Sequence, residues 1–188
     1  MNHFVSACCL LLLATPGFAQ EVLYDNGPDA DVGYYCVNGG AETANSFLLS
    51  EEAAVTSFTL TIYAVDDRNP PLRVRWTVTS EPFGGTVLGE GFTGLSRLED
   101  PYLTKFLFFA YKVGFQVPEL SLAPGTYYIQ VQDVVTRWDT RAFWAESAGP
   151  SAGYYSQLGP SEYGPRTSAM QVSSESFAVL GKWTAAAR

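Results

Sequence analysis

Residues 111–135, YKVGFQVPELSLAPGTYYIQVQDVV, decide the fold of this chain. Apolar and polar side chains alternate in both halves of the stretch, and the apolar set is Tyr111, Val113, Phe115, Val117, Tyr127, Ile129 and Val131. This alternation of aromatic and β-branched residues predicts two strands, each with one buried face. Pro118 is predicted to end the first strand, and Pro124 and Gly125 to turn the chain into the second. A strand pair alone is unstable in water, so the remaining chain must supply further strands and a second layer.

The remaining chain shows the same pattern. Residues 56–64 and 72–79 alternate most cleanly, and other short strand candidates follow with turns between them, without the apolar spacing of an amphipathic helix. The sequence therefore predicts an all-β fold, a two-layer antiparallel β-sandwich with jelly-roll connections. The apolar run of residues 103–110, LTKFLFFA, has two interpretations, a buried strand or a short helix, and its β-rich neighbours favour the strand. The two clean strands are expected to be neighbours, with an outward face formed by Tyr63, Arg73, Arg75 and Thr77.

Length and charge limit the possible classes of function. A chain of 188 residues corresponds to one domain. Hydrophobic residues make up 47% and charged residues 16%, which is typical of a globular protein rather than a disordered one. The net charge of −8 excludes nucleic acid and anionic membranes as expected partners, because both require basic patches.

Residues 1–19 are predicted to be a signal peptide. The apolar run of residues 10–14 is followed by a Thr-Pro-Gly break and by small residues before Gln20, where cleavage is expected. The run is too short to span a bilayer, so no transmembrane anchor is expected. The predicted protein is secreted, to the extracellular space, the periplasm or the cell surface. It consists of one β-sandwich domain over residues 20–183 and a flexible tail over residues 184–188.

Loss of the signal peptide would remove His3, Cys8 and Cys9, leaving Cys36 as the single cysteine and no histidine. A mature chain of this composition cannot form an internal disulfide, a Cys/His zinc site or a histidine-dependent triad. We therefore expect a protein that is not an enzyme. Cys36 itself has two interpretations, a small buried residue or one half of an intermolecular disulfide.

Four segments carry a family resemblance, LYDNG at residues 23–27, LAPGTYYIQV at 122–131, FWAES at 143–147 and FAVLG at 177–181. In their order and spacing the chain resembles secreted bacterial β-sandwich proteins that often end in a PEP-type (Pro-Glu-Pro) sorting tail. This chain is expected to lack that tail. The resemblance implies a non-catalytic extracellular or surface module.

An acidic loop supplies the one candidate metal site. Asp25, Asn26, Asp29 and Asp31 place four oxygen-bearing side chains within seven residues, a donor set suited to Ca²⁺. The spacing is not that of an EF-hand, because the glycine and the distal glutamate are misplaced. The alternative interpretation is a set of hydrated Asx turns. No cofactor other than calcium is expected.

Aromatic residues beside small-residue loops form the candidate ligand site, which comprises Trp138, Arg141, Trp144, Tyr154, Tyr155 and Tyr163. Aromatic rings on a sheet face or rim can stack on sugar rings, and neighbouring polar groups can bind the hydroxyls. The alternative is that Trp144 and one of the paired tyrosines belong to the core and Tyr163 covers a loop.

These observations lead to three functional hypotheses. The first is a secreted, non-catalytic β-sandwich that acts as an extracellular binding or structural module. The second is a carbohydrate-binding module with a Trp/Tyr platform and a structural calcium ion. The third is a polysaccharide-acting enzyme without histidine. The expected partners are an extracellular glycan or a surface protein, and the oligomeric state stays open.

Overall fold

A computed structural model describes residues 20–157 and 167–184. The predicted signal peptide, Tyr163 and residues 185–188 of the predicted tail lie outside the described residues. Within the described ranges every regular element is a β-strand. The strands are β1 (Glu21–Asp25), β2 (Asp29–Cys36), β3 (Ala41–Leu49), β4 (Ala53–Ala64), β5 (Pro71–Glu81), β6 (Gly84–Gly94), β7 (Ser96–Arg97), β8 (Tyr102–Leu103), β9 (Phe109–Leu122), β10 (Gly125–Thr136), β11 (Ala142–Ser147), β12 (Gly153–Gln157), β13 (Thr167–Val172) and β14 (Phe177–Trp183).

The strands form two antiparallel sheets that pack face to face. Sheet A has the order β1-β14-β4-β11-β2; β9 pairs with the opposite edge of β4 and carries β7 and β8 on its own outer edge. Sheet B has the order β13-β12-β3-β10-β5-β6. Eight of these strands follow the jelly-roll order, β2-β11-β4-β9 in one layer and β3-β10-β5-β6 in the other. The predicted fold class is confirmed.

The core lies between the sheets because alternate side chains of each strand point inward. Buried core residues include Phe58 and Ile62 of β4, Trp76 and Val78 of β5, Val113 and Phe115 of β9, and Ile129 and Val131 of β10. Phe58 and Phe115 stack with their ring centroids 5.5 Å apart. The inward residues predicted from residues 111–135 therefore share one core with those of residues 56–64 and 72–79.

The predicted pairing of the two strands in residues 111–135 is wrong. Both strands exist, but β9 pairs with β4 in sheet A, whereas β10 pairs with β3 and β5 in sheet B. Pro118 does not end the first strand, since β9 continues to Leu122 past an irregularity opposite residues 55–57 of β4. Such a bulge leaves a residue unpaired, which accommodates a proline that has no N–H to donate.

Two related expectations also fail. Because β4 and β5 belong to different sheets, Tyr63 does not share a face with Arg73, Arg75 and Thr77. Residues 103–110 are not one strand, since a turn at residues 104–107 separates β8 from β9. Phe106, Phe108 and Ala110 of this run pack on the outer face of sheet A, whereas Phe109 packs against the core.

A buried hydrogen-bonded cluster, here called the polar junction, links both sheets and three connections. It comprises Asn26, Asn45, Ser147, Ser151 and Glu175. Asn26 donates from Nδ2 to the Glu175 carbonyl (2.6 Å) and accepts at Oδ1 from the Ser151 N–H (3.0 Å). Asn45, on β3 of sheet B, donates to Glu175 Oε2 and accepts the Glu175 N–H at Oδ1 (3.1 Å). Ser147 donates to the Asn26 carbonyl.

Glu175 is the exceptional member of the polar junction. Its side chain is 0% exposed, and Oε1 has no hydrogen-bond partner among the described residues. Burial raises the pKa of its carboxyl well above the ordinary value, and the nearby Glu146 carboxylate raises it further, against the lowering effect of the Asn45 hydrogen bond. Glu175 is therefore protonated in the folded protein at pH values where an exposed glutamate is ionised.

This raised pKa predicts that stability falls as pH increases. The folded state holds the Glu175 proton more tightly than the unfolded state, so the free energy of unfolding decreases from the unfolded pKa up to the folded pKa, by at most about 1.4 kcal/mol per pH unit. Glu175→Gln should remove this contribution, so that its stability relative to the wild type rises with pH. Urea denaturation across the acidic to neutral range measures the difference.

The surface variant Glu90→Gln is the control, because Glu90 is exposed and no partner of its side chain is found among the described residues. It should keep the pH dependence of the wild type. A constant stability difference between Glu175→Gln and the wild type across the pH range would contradict the assignment of the bound proton to Glu175.

Candidate functional site

A groove lies on the outer face of sheet A. It consists of two adjoining cavities of about 570 and 340 Å³, which share Thr59, Leu98 and Leu180 among their lining residues. The larger cavity, the near half, extends toward Asp29 and Tyr102. The smaller one, the far half, extends toward Gln116. A continuous groove on a sheet face can bind an extended ligand.

Strand register builds the floor of the groove in cross-strand rows. Thr59 at the centre of β4 lies between Ala178 of β14 and Gly114 of β9. Ser57, two residues earlier, lies between Leu180 and Gln116. Apart from Leu180, these outward positions carry small or polar residues, whereas the alternate residues of β4 point into the core. Short side chains on three neighbouring strands leave the space that forms the groove.

One wall is a segment we call the strap, residues 95–108, which contains β7 and β8. It starts at the edge beside β9, where the Leu98 N–H donates to the Lys112 carbonyl (2.9 Å). The Lys112 ammonium pairs with the Glu99 carboxylate at 2.7 Å. Leu98 lies above Gly114, where an added Cβ would be 3.4 Å from the leucine methyl groups. Leu98 therefore packs on the sheet while about half of its side chain stays exposed.

The C-terminal end of the strap packs into a small aromatic cluster on the outer face of sheet A. Phe106 and Phe108 both pack edge-on against Tyr34 of β2, each with centroids 5.2 Å apart. Phe143 of β11 lies 4.8 Å from the Tyr34 ring, and buried Tyr63 completes the cluster. This cluster covers one half of the outer face of sheet A and leaves the other half open as the groove.

Asp29 closes the near end of the groove by binding two tyrosines. The Tyr63 hydroxyl donates to both carboxylate oxygens at 2.6 Å, and the Tyr102 hydroxyl donates to Oδ2 at 2.7 Å. The Asp31 N–H donates to Oδ1 (2.7 Å). Burial, followed by the Asp29 carboxylate, raises the pKa of both tyrosines, so they stay protonated donors.

The charged residues of the groove are largely engaged with one another. Asp29 accepts the bonds described above, and Glu99 is paired with Lys112. Asp25 accepts the Gly27 N–H at Oδ1 (2.8 Å), which leaves Oδ2 for a ligand. The Thr59 hydroxyl has no hydrogen-bond partner within the described ranges. The groove thus offers single hydroxyl, amide and carboxylate oxygens beside apolar side chains.

The structure distributes the four residues of the predicted calcium site among different partners. Asp25 is exposed in an Asx turn, Asn26 is buried in the polar junction, and Asp29 binds the two tyrosines. Asp31, with φ of 50°, accepts the Lys105 N–H at Oδ2 (3.4 Å). Across residues 20–157 and 167–184, no three carboxylate, cysteine or histidine side chains are grouped to hold a metal ion.

The predicted aromatic ligand site is not brought together. Trp138 is half exposed on the turn after β10, Tyr154 lies on the outer face of sheet B against Tyr128 (5.9 Å), and Tyr155 packs between the sheets against Tyr35 (5.5 Å). Arg141 donates to the Cys36 thiol at 3.3 Å. Tyr163 lies outside the described residues.

The inclusion of Trp144 in the ligand site is wrong. Its ring is 0% exposed and packs edge-on against Phe177 with centroids 5.8 Å apart. Its indole N–H donates to the Ser176 carbonyl (2.8 Å). The Trp144 ring is enclosed by the core and its N–H is hydrogen-bonded within the protein, so neither face of the ring can stack on a sugar. The core alternative therefore holds for this residue.

The groove residues were missed because each looks like an ordinary strand residue. One sequence signal could have indicated the floor, namely the small outward side chains of two strands, Ser57, Thr59 and Thr61 on β4 and Ala178 on β14. Nothing in the sequence indicates that residues 95–108 fold over the sheet.

In comparisons with known proteins, no protein-family model and no curated protein matches the chain. The resemblance to secreted bacterial β-sandwich proteins therefore stays a prediction. No helix long and apolar enough to cross a membrane occurs in the part of the chain that the structure describes.

The bonds to Asp29 predict unequal effects of two tyrosine substitutions. Tyr63→Phe should lower the free energy of unfolding by about 1.5–3 kcal/mol, because it removes a buried hydrogen bond to a charged group. Tyr102→Phe should cost about 1 kcal/mol or less, because this residue is half exposed and water can replace its hydroxyl. Urea denaturation measures both. Equal costs would contradict the role assigned to Asp29.

The turn of the strap predicts a stabilising substitution. Leu107 has φ of 64°, a left-handed conformation that is unfavourable for leucine, and it is 74% exposed. Leu107→Gly should stabilise the protein by about 0.5–1 kcal/mol, because relief of backbone strain exceeds the small loss of buried surface. Leu103→Gly is the matched control, since Leu103 is also exposed but lies in β8 without positive φ. The control should destabilise, and a loss of melting temperature in Leu107→Gly would refute the argument.

Proposed function

We propose that this protein is a secreted, non-catalytic extracellular binding module, and that its binding surface is the groove on the outer face of sheet A. The ligand class that fits the groove best is carbohydrate. The proposal retains the predicted second hypothesis, a carbohydrate-binding module, but moves the site from the Trp138–Tyr163 region to the groove.

The observation that carries the proposal is the chemistry of the groove floor and walls. The Thr59 hydroxyl at the centre of the floor lies beside the partly exposed apolar side chains of Leu98 and Leu180. The half-exposed ring of Tyr102 borders the near end. Sugar rings present the same combination, with apolar faces and hydroxyl edges, so one groove can satisfy both.

The state of the groove carboxylates supports a binding rather than a catalytic role. Glycoside hydrolysis requires two carboxyl groups facing the scissile bond, one as acid and one as base or nucleophile. In the groove, Asp29 is held by two tyrosines and Glu99 is paired with Lys112. That leaves Asp25 Oδ2 and Glu99 Oε2 as the groove carboxylate oxygens that no described residue engages, and the Glu99 charge is balanced by Lys112.

A glycan array on the purified protein tests the proposal, with a groove-filling variant to locate the site. Thr59→Tyr places a ring at the centre of the groove and should weaken binding by more than about tenfold. Thr77→Tyr is the matched control, because Thr77 is also a mid-strand threonine but belongs to β5 of sheet B. The control should bind like the wild type, and far-UV circular dichroism should show both variants folded.

Two results would count against the proposal. Absence of binding to every glycan on the array would reject carbohydrate as the ligand class. Glycan binding that survives Thr59→Tyr but is lost in Trp138→Ala or Tyr154→Ala would return the site to the aromatic residues predicted from the sequence.

A further inference from the structure

The two halves of the groove differ in charge. The near half is lined by the charged side chains of Asp25, Asp29, Glu99 and Lys112. The far half contains no charged lining residue among those described. Its polar groups are hydroxyls and amides, from Gln20, Ser57, Thr93, Ser96 and Gln116. A ligand long enough to occupy both halves therefore meets charged side chains at one end only.

Among the described side chains, the groove offers an anionic chain no unpaired cation. Lys112 is the one cationic side chain among the described lining residues, and its ammonium is 2.7 Å from the Glu99 carboxylate. The remaining charged side chains are acidic, and the chain carries a net charge of −8. Uronate or sulfate groups would be repelled, and the repulsion would be screened only partly at physiological salt.

A cationic chain is matched only weakly, because most of the negative charge in the groove is already compensated. Asp29 accepts hydrogen bonds from Tyr63, Tyr102 and the Asp31 N–H, and Glu99 is paired with Lys112. Two carboxylate oxygens of the groove, Asp25 Oδ2 and Glu99 Oε2, have no partner among the described residues, and the Glu99 charge is balanced by Lys112. A regular polyamine would place most of its charges against apolar or neutral groups, where each charge loses hydration.

The floor of the groove is long enough to bind more than one sugar ring. The outward residues of β4 in the groove run from Thr61 in the near half to Ser57 in the far half. Four residues of extended strand cover about 13 Å. The apolar surfaces of Leu98 and Leu180 lie in both halves, so they can contact successive rings of one chain.

We infer that the groove binds a neutral glycan chain that lies along β4 from Tyr102 to Gln116, an inference that rests on the proposed function of the groove. In this arrangement the ring of Tyr102 contacts the sugar at the near end. The Thr59 hydroxyl and the Gln116 amide bind hydroxyl groups along the chain, and Leu98 and Leu180 cover its apolar faces.

Isothermal titration calorimetry with three sets of oligosaccharides tests this inference. The probes are neutral cello- and manno-oligosaccharides of increasing length, anionic oligogalacturonates, and cationic deacetylated chitosan oligomers. Affinity for a neutral set should rise with chain length until both halves are filled and should change less than about twofold between low and high salt. The anionic and cationic sets should bind more weakly than the neutral set.

A variant in the far half of the groove tests the placement of the glycan chain along β4. Gln116→Ala should weaken binding of the long neutral oligosaccharides roughly two- to tenfold and leave the shortest ones unchanged, because short chains can be bound entirely in the near half. Gln132→Ala on β10 of sheet B is the matched control and should leave all affinities unchanged.

The outcomes separate the two proposals. Preferred binding of a charged set that weakens steeply with salt, while Thr59→Tyr still abolishes binding, would overturn the neutral-chain inference and leave the groove as the binding site. Equal loss of short and long oligosaccharides in Gln116→Ala would overturn the placement along β4. Absence of binding by all three sets and by the array would overturn the proposed function as well.

Discussion

The fold depends on one buried set of hydrogen bonds, the polar junction at Asn26, Asn45 and Glu175. Asn26 follows β1, Asn45 lies in sheet B, and Glu175 precedes β14, so three distant parts of the chain meet at fully buried side chains. Unsatisfied polar groups at such depth would destabilise the fold, and these are satisfied mainly by one another. The junction also limits backbone spacing, because a Cβ on Gly149 would collide with the Asn26 carbonyl. The ends of β1 and β14, and with them one wall of the groove, are held in place by this cluster.

The groove exists because the outer face of sheet A is covered unequally. Over the end of β4 near Tyr63, the strap contributes Phe106 and Phe108, which bury a second, smaller apolar cluster. Around Thr59 the strap stays at the side, since Leu98 contacts Gly114 instead of crossing the sheet. A single segment therefore both completes the packing of one half of the face and forms a wall for the other half. Changes to the strap should affect stability and the shape of the groove together.

Sequence reasoning reached the fold because period-two alternation reports which face of each strand is buried. It could not assign neighbours, since alternation is the same whether β9 pairs with β10 or lies opposite it across the core. The same limit explains the wrong expectations for Tyr63 and Trp144. The residues that pack against them lie on strands that are close only in the tertiary structure. The acidic loop was recognised as special, but the role of Asn26 depends on contacts up to 149 positions away. The groove was missed because its floor consists of short side chains without a motif.

The residues of the acidic loop make hydrogen bonds that bear on the predicted calcium site, which stays a prediction. Oxygen ligands for Ca²⁺ must be free to coordinate, and those of Asp29 already accept hydrogen bonds from Tyr63, Tyr102 and the Asp31 N–H. A cation at Asp29 would have to displace at least one phenol, and loss of the Tyr102 bond would release the strap from the near end of the groove. Calcium binding at Asp29 and attachment of the strap therefore compete for the same two oxygens. The aspartates of this loop accept hydrogen bonds from two tyrosine hydroxyls and from the backbone N–H groups of Gly27, Asp31 and Lys105.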